Sequence, residues 1–307
     1  VKNCLILFLN HKFRFRFLKM KNYSKIVSGT MNWGVWGKNL NTKEMTKLIE
    51  NCFEIGVNCF DHADIYGGYT TEFSFGKSFN ESQISRENVK FITKCGIQYI
   101  CEKSNYKVKH YEYSKKHIID SIEKSLKNLK TDYIDLMLLH RPSPLLKPEE
   151  IAEVIEKLKK EGKVLSFGVS NFNSNQIALL LTESLIEWNQ IECSLTEPKF
   201  MFDGLLDYLI KNKIKIMAWS PLGSYFKIES KTNFRIKKTI QPLIEKYQAS
   251  ESQILLAWIS KHPAKIIPVV GSTSIERLKR SVNSLKIEMS TEDWFSLLEA
   301  RNGFKIP

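Results

Sequence analysis

The chain has 307 residues, with 46 Lys plus Arg against 33 Asp plus Glu and a formal net charge of +13. Hydrophobic residues make up 43% and charged residues 26%, a globular composition that excludes a wholly disordered or collagen-like chain. The length suits one large α/β domain or two average ones and is ample for a substantial core.

The positive charge alone would suit a nucleic-acid or membrane-surface partner. The lysines, however, run through the whole chain and alternate with Glu, as in residues 156–163 (EKLKKEGK). A solvated Lys-rich surface is therefore expected, with neither nucleic acid nor membrane as partner. No run approaches the roughly 18 apolar residues of a membrane span. The six cysteines, Cys4, Cys52, Cys59, Cys95, Cys101 and Cys193, form no C-x-x-C pair. They read as reduced thiols of a cytoplasmic protein. No metal site is expected.

Residues 1–19 stand apart. The apolar run 4–9 (CLILFL) is too short, and lacks the small-residue cleavage site, for a signal peptide. Phe13, Phe15 and Phe17 alternate with Arg14 and Arg16, a strand pattern. The segment reads either as an N-terminal β-hairpin covering apolar surface or as an incidental leader, with Met20 the start.

From Tyr23 onward, short β-rich runs alternate with amphipathic segments. Strands are expected at 26–29, 57–60, 89–93, 133–139, 164–169, 188–193, 214–218 and 266–270. After the first, 42–55 carries Met45, Leu48, Ile49, Cys52 and Phe53 at helical spacing. After the third, 114–129 does the same with Ile118, Ile119, Ile122, Leu126 and Leu129. Segment 148–160 opens with Pro148 and acids in its first turn. Ser174 is the expected cap of the next helix and Ser274 of the last, and 251–261 is the clearest helix. Strand–helix alternation implies a parallel sheet, and eight units imply a closed (β/α)8 TIM barrel over 20–307. An open doubly wound sheet would carry G-x-G-x-x-G after its first strand, where this chain reads Gly29 to Gly34 (GTMNWG).

Chemistry in such a barrel sits at the C-terminal ends of the strands. Those ends carry Asp61 and then Tyr66, Lys94, His140, Ser170 with Asn171, Gln190, Trp219 with Ser220, and Ser272 with Thr273. Taken singly, each has a bland reading as a cap, turn or first solvated residue. Converging on one mouth, Asp, Tyr, Lys and His form a proton-transfer set. A free Tyr, with a pKa near 10, is a poor acid or base at neutral pH. A nearby ammonium stabilises the phenolate and is expected to lower that pKa, while a carboxylate holds the ammonium.

Six blocks in order resemble the aldo-keto reductase family. They are 56–76 (GVNCFDHADIYGGYTTEFSFG), 93–96 (TKCG), 132–142 (DYIDLMLLHRP), 162–172 (GKVLSFGVSNF), 219–223 (WSPLG) and 267–278 (IPVVGSTSIERL). HADIYGGY, MSTEDWF at 289–295 and the ending GFKIP resemble the bacterial YdhF-like oxidoreductase branch. The resemblance implies NADPH-dependent reduction of a small aldehyde or ketone. Tyr66 would be the general acid, tuned by Lys94 and Asp61, with His140 orienting the carbonyl. Ser170, Asn171 and Gln190 would hold the nicotinamide carboxamide, Trp219 would stack on the ring, and Thr30 and Met31 would line it. Ser220, Leu222 and Gly223 would wrap the pyrophosphate. Ser272, Thr273 and Arg277 would take the 2′-phosphate, for which a guanidinium is well shaped. Two departures weigh against strict NADPH selectivity: Gly271 stands where much of the family has Lys, and Ser281 where many members have Asn. The rival class is a nucleotide-binding regulatory or partner subunit of the same fold with little turnover.

Two long loops, 97–113 with Tyr99, Tyr106, Tyr111 and Tyr113 and the Lys-rich 224–238, read either as substrate lids or as solvated insertions. Trp33 and Trp36 are further candidates for an aromatic pocket wall.

Overall fold

The computed structural model describes residues 23–102 and 104–307, so the leader or hairpin expected at 1–19 lies outside the described residues. The strands, in chain order, are β1 (Val27–Gly29), β2 (Cys59–Asp61), β3 (Lys90–Cys95), β4 (Ile97–Gln98), β5 (His110–Tyr111), β6 (Leu136–Leu139), β7 (Phe167–Ser170), β8 (Trp188–Glu192), β9 (Lys215–Trp219) and β10 (Ile267–Val270). Eight of them close into a parallel barrel in the order β1, β2, β3, β6, β7, β8, β9, β10 and back to β1. Helices between the strands form the outer layer, as a (β/α)8 TIM barrel requires. The pair β4–β5 is antiparallel, with Ile97 opposite Tyr111, and folds the first of the two long loops into a ribbon beside the mouth.

Each expected barrel strand is present, with shifted ends. The second runs 59–61, and the fourth begins only at Leu136, Ile134 making an isolated bridge to Val164. Parallel pairing buries both faces, so the strands read as near-continuous apolar runs with soft boundaries.

The barrel interior is filled by Val27, Cys59, Ile92, Leu136, Leu138, Trp188, Met217 and Val269. Tyr23 closes its N-terminal end, its ring 4.8 Å from that of Trp188 and its hydroxyl donating to the Asp135 carbonyl at 3.3 Å. A larger core lies between barrel and helices and includes Ile49, Phe75, Ile122, Ile155, Leu209 and Leu255. Each such side chain contributes roughly 1.5–3 kcal/mol through burial.

Local signals fix most helix starts. Thr42–Glu54 begins with a capping box between Asn41 and Glu44, and Lys115–Leu129 is capped by Ser114. Pro148–Lys160 carries its proline in the first turn, and Ile275–Asn283 is capped by Ser274. Three expectations are corrected. The cap of Ser174–Leu181 is Asn173, whose side chain accepts from Gln176 N–H in a full capping box, so Ser174 is already helical. Half of the Lys-rich segment 224–238 is not loop: Lys231–Tyr247 is a helix with Ile236, Ile240 and Leu243 on its buried face. Ser274 does not cap the last helix, because Thr291–Asn302 follows, capped by Ser290.

Charge is buried at the closed end. Asp135, fully buried, accepts from Arg86 Nη2 at 2.7 Å and from the Phe91 N–H at 2.9 Å, with Lys90 Nζ at 3.2 Å. The Arg86 guanidinium is sandwiched by the Phe91 and Tyr133 rings, 4.0 Å from each centroid. Removing one partner of such a cluster strands the others. Asp135→Ala is expected to cost about 3–5 kcal/mol in urea unfolding. A loss below about 1 kcal/mol would place the cluster in the class of solvent-exposed pairs.

Candidate active site

Side chains alternate in and out along a strand, so a residue two places beyond an inward core position also faces inward, one layer nearer the mouth. Cys59 is followed in this way by Asp61, Ile92 by Lys94, Leu138 by His140, Trp188 by Gln190 and Met217 by Trp219. Neighbours of opposite parity point into the helical layer. The His62 ring lies 4.3 Å from that of Phe75, and Thr93 Oγ1 donates to the buried Glu72 carboxylate at 2.6 Å.

Lys94 is fully buried, and its ammonium donates to Asp61 Oδ1 and Oδ2 at 2.8 Å each, the His62 carbonyl at 2.7 Å and Tyr66 Oη at 3.1 Å. Tyr66 is not on a strand. It opens the short helical turn Tyr66–Tyr69, in which Gly67 and Gly68 have φ of 61° and 62°. A Cβ on Gly67 would sit 2.6 Å from Thr71 Oγ1, so left-handed backbone and lack of space both demand glycine there. That turn aims the phenol back over the strand ends, where its ring centroid is 6.2 Å from that of His140.

The electrostatics modify the sequence expectation. Burial raises the Tyr66 pKa, the Lys94 ammonium opposes this, and the Asp61 carboxylate adds to the rise; the net shift is upward, not downward. The phenol at rest is a firmly protonated donor. Burial works against the Lys94 charge too, but Asp61 and the Tyr66 oxygen outweigh it and hold the ammonium pKa above its ordinary value. Burial, with Lys94, Arg141 and Lys109 nearby, pushes the His140 imidazole well below its usual pKa, so it is neutral.

Beside this tetrad the strand ends β7, β8 and β9 are cross-linked. Ser170 Oγ donates to the Gln190 carbonyl at 2.9 Å, and Gln190 Nε2 donates to Asp61 Oδ1 at 3.0 Å. Asn171, with φ of 64°, donates to Ser170 Oγ at 2.8 Å and accepts from Trp219 Nε1 at 2.8 Å. Thr30 is buried, its hydroxyl donating to the Asp61 carbonyl at 3.0 Å and lying 2.9 Å from His62 Nδ1, whereas Met31 is 44% exposed. Ser220 and Gly223 have positive φ and close a tight turn, Gly223 N–H donating to the Ser220 carbonyl at 2.8 Å. Leu222 in that turn packs on the outer core. A Cβ on Gly223 would lie 1.9 Å from Thr196 Oγ1, so the turn is pressed onto the loop that follows β8. Ser272 Oγ accepts from Ser274 N–H at 3.1 Å, and Arg277 is exposed on the first turn of Ile275–Asn283.

The profile of the aldo/keto reductase family matches residues 25–302. The chain belongs to this family. It is 41% identical to the uncharacterized oxidoreductase YcsN of Bacillus subtilis, over 93% of this chain and 96% of that one. It is 35% identical to the oxidoreductase YdhF of Escherichia coli, with the same coverage. It is also 35% identical to a 6-dehydroglucose reductase of Agrobacterium fabrum, over 86% of this chain and 91% of that one. As an aldo/keto reductase, the chain is an oxidoreductase of a family that acts on carbonyl compounds.

Several contacts at this aldo/keto reductase mouth had no sequence signal. Trp33 is fully buried in the outer core and lines no pocket, whereas Trp36 packs on Tyr66 and Tyr99 with ring centroids 6.2 and 5.1 Å away. Among the loop tyrosines, Tyr113 is buried and holds the backbone of Arg141, and Tyr106 is exposed against His110. The buried thiols Cys52, Cys59 and Cys193 have pKa values pushed up to about 12 by burial, so they are inert neutral packing groups. Among the described residues, no His, Cys, Asp or Glu cluster suits a metal ion, and no helix is long and apolar enough to cross a membrane.

The depressed His140 pKa has a direct readout. Its ring signals in a pH-dependent NMR titration are expected to stay those of the neutral imidazole from pH 8 down to about pH 6, below the ordinary midpoint near 6.5. A midpoint at or above 6.5 would show that burial does not dominate at this site.

Proposed function

We propose that this chain reduces an aldehyde or ketone to the alcohol with NADPH, and that Tyr66 supplies the proton. The reading is carried by the buried Lys94 ammonium, shared between the Asp61 carboxylate and Tyr66 Oη at 3.1 Å. The relative named as a 6-dehydroglucose reductase supports a carbonyl on a small molecule as the substrate.

The residues around the mouth fit a nicotinamide dinucleotide. The amides of Asn171 and Gln190 and the hydroxyl of Ser170 present donors and acceptors suited to a carboxamide, and Trp219 offers an aromatic face for the ring beside Thr30 and Met31. The turn of Ser220, Leu222 and Gly223 leaves a close backbone approach for a pyrophosphate. Ser272, Thr273 and Arg277 surround a helix start, where a phosphate is favoured. When bound, NADPH supplies hydride to the carbonyl carbon.

The protein's part is the proton. Tyr66 donates from Oη to the developing alkoxide, and the phenolate left behind is held by Lys94 Nζ. Asp61 keeps Lys94 charged and in place, and Gln190 fixes Asp61 from the other side. Because burial raises the Tyr66 pKa, proton release depends on the alkoxide forming at the same moment, which suits a concerted step. Neutral His140 orients the carbonyl oxygen without competing as an acid.

The first test is NADPH oxidation against aromatic aldehydes, dicarbonyls and ketones, with NADH in parallel. Tyr66→Phe is expected to lower kcat by about 10²–10⁴-fold, with NADPH affinity held within a few-fold. Full turnover in that variant would remove Tyr66 as donor. Cofactor binding without turnover of any carbonyl by the wild type would favour the regulatory subunit instead. Arg277→Met is expected to weaken NADPH binding by about tenfold or more and leave NADH binding almost unmoved. An equal loss for both nucleotides would take the 2′-phosphate away from Arg277.

A further inference from the structure

Arg141 follows His140 directly after β6 and is half-buried at the mouth. One buried phenol fixes its backbone on both sides: Tyr113 Oη donates to the Arg141 carbonyl at 2.5 Å and accepts from the Arg141 N–H at 3.0 Å. Tyr113 in turn is wedged over Gly96, where a Cβ would lie 2.0 Å from its ring. The residue is thus rigidly placed from below.

Its guanidinium is placed differently. Among the described residues it has neither a hydrogen-bond acceptor nor a carboxylate within ion-pair distance, and it rests over the Trp219 ring with Cζ 5.5 Å from the centroid. That contact leaves its five N–H donors without a protein acceptor among the described residues. Arg141 also acts on both reacting groups, being among the cations that lower the pKa of His140 and of Tyr66, so it faces the same space as they do. The charge of Lys109, on the loop between β4 and β5, lowers the His140 pKa as well. The acid facing Arg141 is Glu192 on β8. Burial raises its pKa, Glu197 adds to the rise, and Arg141 and Lys227 oppose it, with no ion pair between Glu192 and Arg141.

A partly dehydrated cation with idle donors beside a reaction centre is unfavourable unless an acceptor arrives. We propose that Arg141 binds an anionic oxygen group, a carboxylate or a phosphate, carried by the carbonyl substrate, and so selects anionic aldehydes or ketones over neutral ones. The proposal rests on the reductase reading above and adds a charge to its substrate class. The planar fork of a guanidinium matches two oxygens of either group, which a lysine ammonium does not.

The test compares wild type, R141Q and R141K on two matched pairs: 4-oxobutanoate against butanal, and glyceraldehyde 3-phosphate against glyceraldehyde. In the wild type, at least one charged member is expected to exceed its neutral partner in kcat/KM by about tenfold or more, mainly through KM. R141Q should reduce that charged-to-neutral ratio by about tenfold or more, with R141K intermediate. A response in the first pair alone assigns a carboxylate, and in the second alone a phosphate. Equal losses on charged and neutral members would show only a packing or field effect and overturn the proposal, as would a wild type without preference. If no aldehyde is reduced, the reductase reading fails by itself. Arg141 is then judged by titrating 4-hydroxybutanoate and glycerol 3-phosphate into NADPH-loaded protein and following tryptophan fluorescence. Saturable binding lost in R141Q supports the proposal, and no binding of either anion overturns it.

Discussion

Closing eight parallel strands into a barrel gives each strand residue two directions only, into the barrel or into the helical layer, and the site follows from that constraint. The interior is already filled by Val27, Cys59, Ile92, Leu138, Trp188 and Met217, so inward positions one layer higher have no room to sink. They surface at the mouth as Asp61, Lys94, His140, Gln190 and Trp219. Each rests on a packed residue two places earlier on its own strand, which keeps its root fixed. Tyr66 is the exception: it arrives on a loop and needs the left-handed Gly67–Gly68 turn to reach the group.

Placing Lys94 in this layer makes its charge expensive, since burial by itself lowers the ammonium pKa. Asp61 reverses that outcome with two contacts at 2.8 Å, and the His62 carbonyl and Tyr66 phenol fill the remaining donor directions. The ammonium's donors are therefore all engaged. In the reaction proposed above, the ammonium is already in place when Tyr66 gives up its proton and nothing must reorganise, which is the main advantage of a pre-formed polar site over water. The Gln190–Asp61 bond at 3.0 Å ties this unit to β8, so the group proposed for proton transfer and the strand ends proposed for the nicotinamide share one hydrogen-bond network.

Much of this was legible in the sequence because it depends on local periodicity. Eight apolar runs located the strands, and the place of Asp61, Lys94 and His140 at or just past their C-terminal ends brought them to one mouth. Long-range contacts were not legible. Nothing local says that Trp219 Nε1 bonds Asn171, that Gln190 reaches Asp61, or that Trp33 sinks into the outer core while Trp36 meets Tyr66. The direction of the Tyr66 shift was missed for a related reason: residue types name the ammonium, but burial, which wins, is a property of the packed fold. The first half of Lys231–Tyr247 falls in the expected loop 224–238 because its lysines mask an apolar face that continues from Ile236 to Ile240 and Leu243.

The mouth is built from two kinds of backbone. On the side of β7, β8 and β9, side chains stand on strand ends and hold one another, as Ser170, Asn171, Gln190 and Trp219 do. On the other side, the loop carrying the β4–β5 ribbon and the segment after Trp219 present Tyr99, Tyr106, Lys109, Phe226 and Lys227, several of them exposed. Barrel strands tolerate little change in volume, whereas loops change at small cost. In the function proposed above, the strand ends would set the reaction type and the loops the substrate choice. Arg141 joins the two: Tyr113, from the loop that carries the ribbon, clamps its backbone just after β6, and its guanidinium rests over Trp219 on the strand-end side. Because its charge also lowers the pKa of His140 and Tyr66, the substrate role proposed for Arg141 would be coupled to the proposed proton donor.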